Sequence, residues 1–345
     1  MIQVGIIGCG KIGQVRHLPE YAAREDVRIA ALYDVNLERA KALAAQYGAR
    51  ACATCEELLA DPSIDAVSVC SANTSHAQIA IAALEHGKHV LCEKPMATTL
   101  ADCEAMAEAA RRSGKRLMIG QNQRLAGAHV KAKELIDAGA IGSVITFETN
   151  FRHAGPETWS VDPGANTWFF DKKRAAMGVM ADLGVHKTDL IQYLVGQRIT
   201  EVTARLTTLD KKFADGTPIS VDDNAFCIYR MGGGVCGTMS VSWTNYGAED
   251  NATVLYGTKG VLRIYDHPEH TLVLEKKDGG VEYFDVDQIQ TNDNQTKSGV
   301  IDLFVDSILD EKVEGISAES VLPAMRAVFA AIESSETGKT VRIEV

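Results

Sequence analysis

The sequence predicts a doubly wound α/β domain followed by an α+β domain, and three observations predict it. Through roughly the first 120 residues, short and almost continuous apolar runs alternate with helical patterns. Such runs mean burial on both faces, as in a parallel sheet flanked by helices. After about residue 125 the pattern becomes a series of strand-like runs separated by turn signals, which suits an antiparallel sheet. Finally, 345 residues suit two domains at ~100–200 residues each, with core enough to need no disulfide or metal staple. The expected division is 1–124 and 125–345, with the C-terminal helix able to pack back on the first domain.

Each element follows from its own residues. Ile2–Ile7, Val27–Asp34, Ile64–Cys70, His89–Cys92 and Leu117–Ile119 are the apolar strands of the first domain. Leu37–Tyr47, Ser75–His86 and Leu100–Arg112 lie between them with helical spacing, the last stopped by Gly114. A helix is expected at Ala128–Ala138 and a long strand at Ser143–Arg152. Residues 153–178 carry Pro156, Pro163, Gly155, Gly164 and two tryptophans, and read as irregular. A helix near Leu183–Leu194 follows. Strands are then expected at Glu201–Leu209, Asp223–Arg230, Val235–Trp243, Asn251–Tyr256, Gly260–Tyr265 and Thr271–Glu275. Helices near Gly299–Leu309 and Ala318–Ser334 and a short strand at Thr340–Glu344 close the chain.

Composition narrows the function classes. Lys plus Arg is 35 against 46 Asp plus Glu, a net charge of −11. An acidic chain without a basic run is a poor binder of nucleic acid or anionic membranes. No run of about 18 strongly apolar residues exists, and the N-terminal residues read as a strand and not as an export signal. The eight cysteines are scattered, so a cytoplasmic protein with reduced thiols is expected. Cys52 and Cys55 form a CxxC with no second ligand pair, and His267–His270 has a proline inside its HxxH, so no metal is expected.

Gly8-Cys9-Gly10-Lys11-Ile12-Gly13 directly follows the first strand and opens a helix. In that context the first glycine permits the tight turn and the second lets backbone approach a pyrophosphate. The third lets helix pack on strand, and the helix N-terminus favours the anion. Asp34 ends the second strand 21 residues after Gly13, where a carboxylate binds ribose hydroxyls of NAD and disfavours the 2′-phosphate of NADP. Ser71, Asn73 and His76 follow the third strand, and Glu93-Lys94-Pro95 follows the fourth. Both stretches lie where an open α/β sheet binds ligands, although Asn73 can equally cap a helix. Asp182 and His186 are four apart, so on a helix they share a face. An acid beside a histidine suits proton transfer near neutral pH, and a capping Asp with a packed His is the competing reading.

Taken together, Gly8–Gly13, Asp34, Asn73 with His76, Glu93-Lys94-Pro95 and Asp182-x-Gly184-x-His186-x-x-Asp189 resemble the glucose–fructose oxidoreductase/inositol dehydrogenase (Gfo/Idh/MocA) family over essentially the whole chain. Val254–Ile264 and Gly338-Lys339-Thr340-Val341 fit the same pattern. The resemblance implies a Rossmann domain, then an α+β domain with a large, open, mostly antiparallel sheet that mediates assembly, here into a homodimer or homotetramer. It implies catalysis by Lys94, Asp182 and His186, and NAD held by Gly8, Gly10, Lys11, Ile12, Gly13, Asp34, Ser71, Asn73, His76, Glu93, Lys94 and Asn122. Gly120–Arg124 matches a stretch near nicotinamide and substrate. The expected substrate contacts are Lys94, Arg124, His153, Trp168, Asp182 and His186. The implied activity is NAD-dependent oxidation of a secondary alcohol of a sugar or cyclic polyol. Transient oxidation in glycoside cleavage, or a non-catalytic regulator that binds NAD and sugar, are the alternatives. Ala72 replaces a common proline, and Ala176-Met177-Gly178 replaces a run usually richer in glycine.

Overall fold

The computed structural model describes residues 1–286 and 297–344. In the first part the strands are β1 (Ile2–Ile7), β2 (Val27–Tyr33), β3 (Arg50–Ala51), β4 (Ala66–Val69), β5 (His89–Cys92) and β6 (Leu117–Ile119). They form one sheet in the order β3-β2-β1-β4-β5-β6. Every pairing in it is parallel: Val4 of β1 faces Ile29 on one side and Ala66 on the other. Val4, Ile6, Val67, Val69, Val90 and Leu91 are fully buried, which is why these runs show no polar alternation. Strand order reverses between β1 and β4, so the loops after those strands flank the switch point of a doubly wound sheet.

The second sheet contains β7 (Val144–Arg152), β8 (Ile199–Thr207), β9 (Asn224–Met231), β10 (Cys236–Ser242), β11 (Thr253–Gly257), β12 (Gly260–Ile264), β13 (Leu272–Lys276), β14 (Val281–Phe284) and β15 (Val341–Arg342). Its order is β14-β13-β12-β11-β7-β10-β9-β8-β15, and all neighbours are antiparallel except β7 and β10. On β9 exposure alternates: Ala225, Cys227, Tyr229 and Met231 point inward, while Phe226 and Ile228 are exposed. Val235, Met239, Val241 and Trp243 are buried, so they serve the core and leave the open face to Phe226 and Ile228. Where β15 no longer covers β8, the Ala204 and Leu206 amides donate to Ser334 and Ser335 of the helix Ala318–Thr337. That blunts an edge which would otherwise be open to pairing.

The chain divides into two compact units that are not contiguous in sequence. One comprises residues 1–122, 159–162 and the described part of 290–322; the other comprises 123–158, 163–289 (described to 286) and 323–345 (described to 344). In the first unit the Ile119 amide donates to the Ile316 carbonyl at 2.9 Å, and Arg24 pairs with Asp302 and Asp306. Both residues of the CxxC, Cys52 and Cys55, are free thiols. His267 and His270 stack on each other at 5.1 Å between ring centroids, and His270 pairs with Asp285. Among the described residues no group of three or more His, Cys, Asp or Glu side chains is arranged to hold a metal ion, and no helix is long and apolar enough to cross a membrane.

Candidate active site

In the first unit, the turn after β1 brings the glycine motif against the end of β4. Gly8 has φ of +97°, and a Cβ there would lie 2.5 Å from the Cys70 carbonyl. A Cβ at Gly13 would lie 2.9 Å from the Gly8 oxygen, whereas nothing stands within 4 Å of one at Gly10. The first and third glycines are thus fixed by packing, and the second leaves its backbone open to a ligand. The helix that follows carries a π-turn at Gly13–His17. Asp34 is buried just beyond β2; its carboxylate accepts the Cys9 and Asn36 amides at 2.7 Å each. Arg39 lies 3.9 Å from Asp34 but spends its guanidinium on Asp162, at 2.8 and 3.0 Å. Lys11 and Ile12 are half-buried beside this turn.

The ends of β4 and β5 supply the remaining groups of this unit. Asn73 lies inside a short turn, Asn73–Ser75, and is not the cap of the helix His76–Glu85. Ser71 and Ser75 are joined through their hydroxyls at 2.7 Å. His76 is buried, with Nδ1 2.8 Å from the Pro95 carbonyl and Nε2 3.0 Å from the Ser71 carbonyl. Burial pushes its pKa down, so the ring is neutral and donates to one of these two carbonyls. Both ring nitrogens thus face backbone carbonyls, one from each of the two loops.

Glu93 is buried as well. Its Oε1 accepts from His17 at 2.9 Å and Arg16 at 3.2 Å, and His17 continues through Ser68 to the Tyr21 hydroxyl. Burial opposes the Glu93 charge, but the His17 hydrogen bond and the Arg16 charge outweigh it and hold the carboxyl well below its ordinary range. Glu93 thereby anchors the half-buried Lys94, whose peptide bond to Pro95 is cis. Gly120 passes close to that carboxylate, and Gln121 beyond it is buried with neither amide atom hydrogen-bonded. Asn122 starts a 3₁₀ turn, Asn122–Leu125. The bare Gly10, the buried Asp34 and the orphaned Gln121 amide fit a bound dinucleotide.

In the second unit, Asp182 lies in a π-turn, Met180–Gly184, and His186 in the helix Val185–Val195 that continues it. π-turns inside helices often mark functional sites. Both side chains are 6% exposed. Asp182 is not a cap: its Oδ2 accepts the Trp243 indole N–H at 3.0 Å and lies 3.6 Å from His153 Nε2. Phe151 packs between the histidines, 5.9 Å from His153 and 6.3 Å from His186 by ring centroids. Trp168 stacks on Phe169 at 3.9 Å and is half-buried. Arg124, expected at the substrate, is forked onto Asp189, with Nε 2.7 Å from Oδ2. An ion pair with a buried Asp189 and a half-buried Arg124 therefore joins the family-like motifs that contain them. Sequence reasoning missed Trp243 as a partner of Asp182, and it missed Lys187. Lys187 is fully buried, donates to the Asn251 carbonyl at 2.8 Å and Thr253 Oγ1 at 3.2 Å, and burial pushes its pKa down to about 7.

Comparison with known proteins agrees with this layout. Residues 2–121 match the profile described as oxidoreductase family, NAD-binding Rossmann fold, and residues 129–263 match the GFO/IDH/MocA C-terminal domain. Myo-inositol 2-dehydrogenase of Thermotoga maritima is 27% identical, with 99% of each chain covered. Levoglucosan dehydrogenase of Pseudarthrobacter phenanthrenivorans is 32% identical over 76% of this chain and 73% of its own. The solved structure of a levoglucosan dehydrogenase with NADH and levoglucosan superposes with a TM-score of 0.87 at 25% identity, covering 99% of each chain. An oxidoreductase domain protein from Kribbella flavida gives 0.87 at 26% identity, covering 100% of this chain and 99% of that one. The chain belongs to the Gfo/Idh/MocA family of oxidoreductases. It is an NAD-binding enzyme.

Proposed function

We propose that the protein oxidises a secondary alcohol of a sugar or cyclic polyol. The observation that carries this reading is the Asp182–His186 pair, buried on one π-turned helix with Trp243 and His153 on the Asp182 carboxylate. Relatives named as inositol, levoglucosan and glucoside dehydrogenases support the substrate class. NAD, when bound through the glycine turn and Asp34, supplies the hydride acceptor. His186 accepts the hydroxyl proton as general base. Lys94 contributes positive charge toward the oxygen as it becomes anionic. Asp182 binds a neighbouring hydroxyl, oriented by the Trp243 indole.

Polyols, aldoses and glycosides offered with NAD test the reading. One NADH released per product is expected; sugar product without net NADH would assign glycoside cleavage instead. His186→Ala is expected to lower kcat by roughly 10²–10⁴-fold with NAD affinity unchanged. A folded His186→Ala protein with near-normal turnover would remove His186 as the base. The same reading places the enzyme in the cytoplasm as a homodimer or homotetramer, joined through the sheet face that exposes Phe226 and Ile228. Sedimentation at the 37.2 kDa of one chain would reject that assembly.

A further inference from the structure

Three consecutive amides lead into the π-turn that carries Asp182, and all three are tied to one residue. Gly178 N donates to Asp222 Oδ1, Val179 N to the Asp222 carbonyl and Met180 N to Asp222 Oδ2, each at 2.8 Å. Gly178 approaches so closely that a Cβ on it would lie 1.9 Å from the Asp222 carbonyl oxygen. The next residue works on the other side. Asp223 is fully buried, and its carboxylate accepts the amides of Leu209, Asp210 and Lys211 at 2.8, 2.8 and 2.9 Å. Its carbonyl accepts the Trp243 amide at 2.8 Å, and the indole of Trp243 donates to Asp182.

We propose that the Asp222–Asp223 pair positions the Asp182 carboxylate for the reaction, Asp222 by fixing the backbone that carries it and Asp223 by fixing the tryptophan that hydrogen-bonds it. This rests on the assignment of Asp182 to the active site. The chemistry requires carboxylates. Each aspartate meets two or more N–H donors, and a carboxylate presents two acceptor oxygens, whereas an asparagine presents one and turns an NH₂ toward the other donor. Neither residue touches the reacting atoms in this account; both act through Asp182.

The test is Asp222→Asn, with Asp222→Ser as a second variant should the first fail to fold. In the wild-type background kcat is expected to fall about tenfold to a hundredfold, the scale of an ångström-sized misplacement, with the KM for NAD unchanged. In an Asp182→Asn background the same change is expected to cost almost nothing, because the group it positions is gone. Equal losses in both backgrounds would overturn the proposal and leave Asp222 a structural residue. The tryptophan indole N–H resonances give a readout independent of turnover: that of Trp243, identified by Trp243→Phe, is expected to shift in Asp222→Asn. An unmoved resonance would overturn the proposal. An Asp182→Asn enzyme with full turnover would instead overturn the active-site assignment, and the positioning role with it, whatever the resonance shows.

Discussion

Each unit buries one ionisable side chain next to a candidate catalytic residue, and the two are treated in opposite ways. Glu93 precedes Lys94 and is met by Arg16 and His17, so its charge is retained. Lys187 follows His186 and donates to the Asn251 carbonyl and the Thr253 hydroxyl; among the described residues no carboxylate forms an ion pair with it. Burial penalises both charges, and the partner decides which survives. The first unit is therefore expected to tolerate a wide pH range at this point, while the second carries a group that titrates near neutrality.

Removing the partner logic of the first unit has the largest expected effect. Glu93→Gln removes the buried charge that Arg16 and His17 meet and is expected to cost about 3 kcal/mol of stability, measured by urea denaturation. A loss below about 1 kcal/mol would mean that Glu93 is not an anchor. For Lys187 the folded-state pKa is depressed from 10.5 to about 7. Between those values the unfolded chain binds a proton that the folded chain lacks, so this stability is present above pH 10.5 and is lost as pH falls toward 7. Relative to Lys187→Met, the wild type is expected to gain on the order of 2 kcal/mol between pH 7 and 9. Parallel stability curves for the two proteins would refute it.

Smaller effects sharpen the contrast. Asp34, the proposed ribose contact, has a nearby cation, Arg39, which is engaged by Asp162. A preference for NAD over NADP of about tenfold or more in kcat/KM is expected, or about 1.4 kcal/mol. Equal values would show Arg39 released from Asp162 and serving the phosphate. The smallest change is at Ala176, a non-glycine residue with φ of +63° in the run leading to Gly178. Ala176→Gly is expected to raise stability by about 0.5–1 kcal/mol, seen as a higher Tm with turnover unaltered.

The first unit was legible because its signals are local. Gly8–Gly13, Asp34 and Glu93-Lys94-Pro95 each follow an apolar strand, and the strands announce themselves by unbroken burial. The second unit was legible in its strands but not in its ties. Trp243 meets Asp182 across 61 residues and Arg124 meets Asp189 across 65, and neither pairing leaves a periodic trace. Nor did His76 show in the sequence that its ring nitrogens would face the carbonyls of Pro95 and Ser71. The two-residue β3 and the short helix Cys55–Leu59 were missed because so few residues carry no period. Nor does any local signal say that β7 sits between β10 and β11, or that residues near 316 return to β6.

That placement of β7 governs the order in which a newly made chain can assemble. β7 is the first strand of its sheet to leave the ribosome, yet both neighbours arrive about 90 or more residues later, so it waits unpaired while most of its unit is translated. The first unit waits too, since Ile316 and Ser317 complete the outer edge of β6 and Asp302 and Asp306 engage Arg24. A chain released before these residues are made would expose the edge of β6 and leave Arg24 without Asp302 and Asp306. Residues 302–317 thus complete the first unit late in synthesis, and until they are made the edge of β6 is open to pairing.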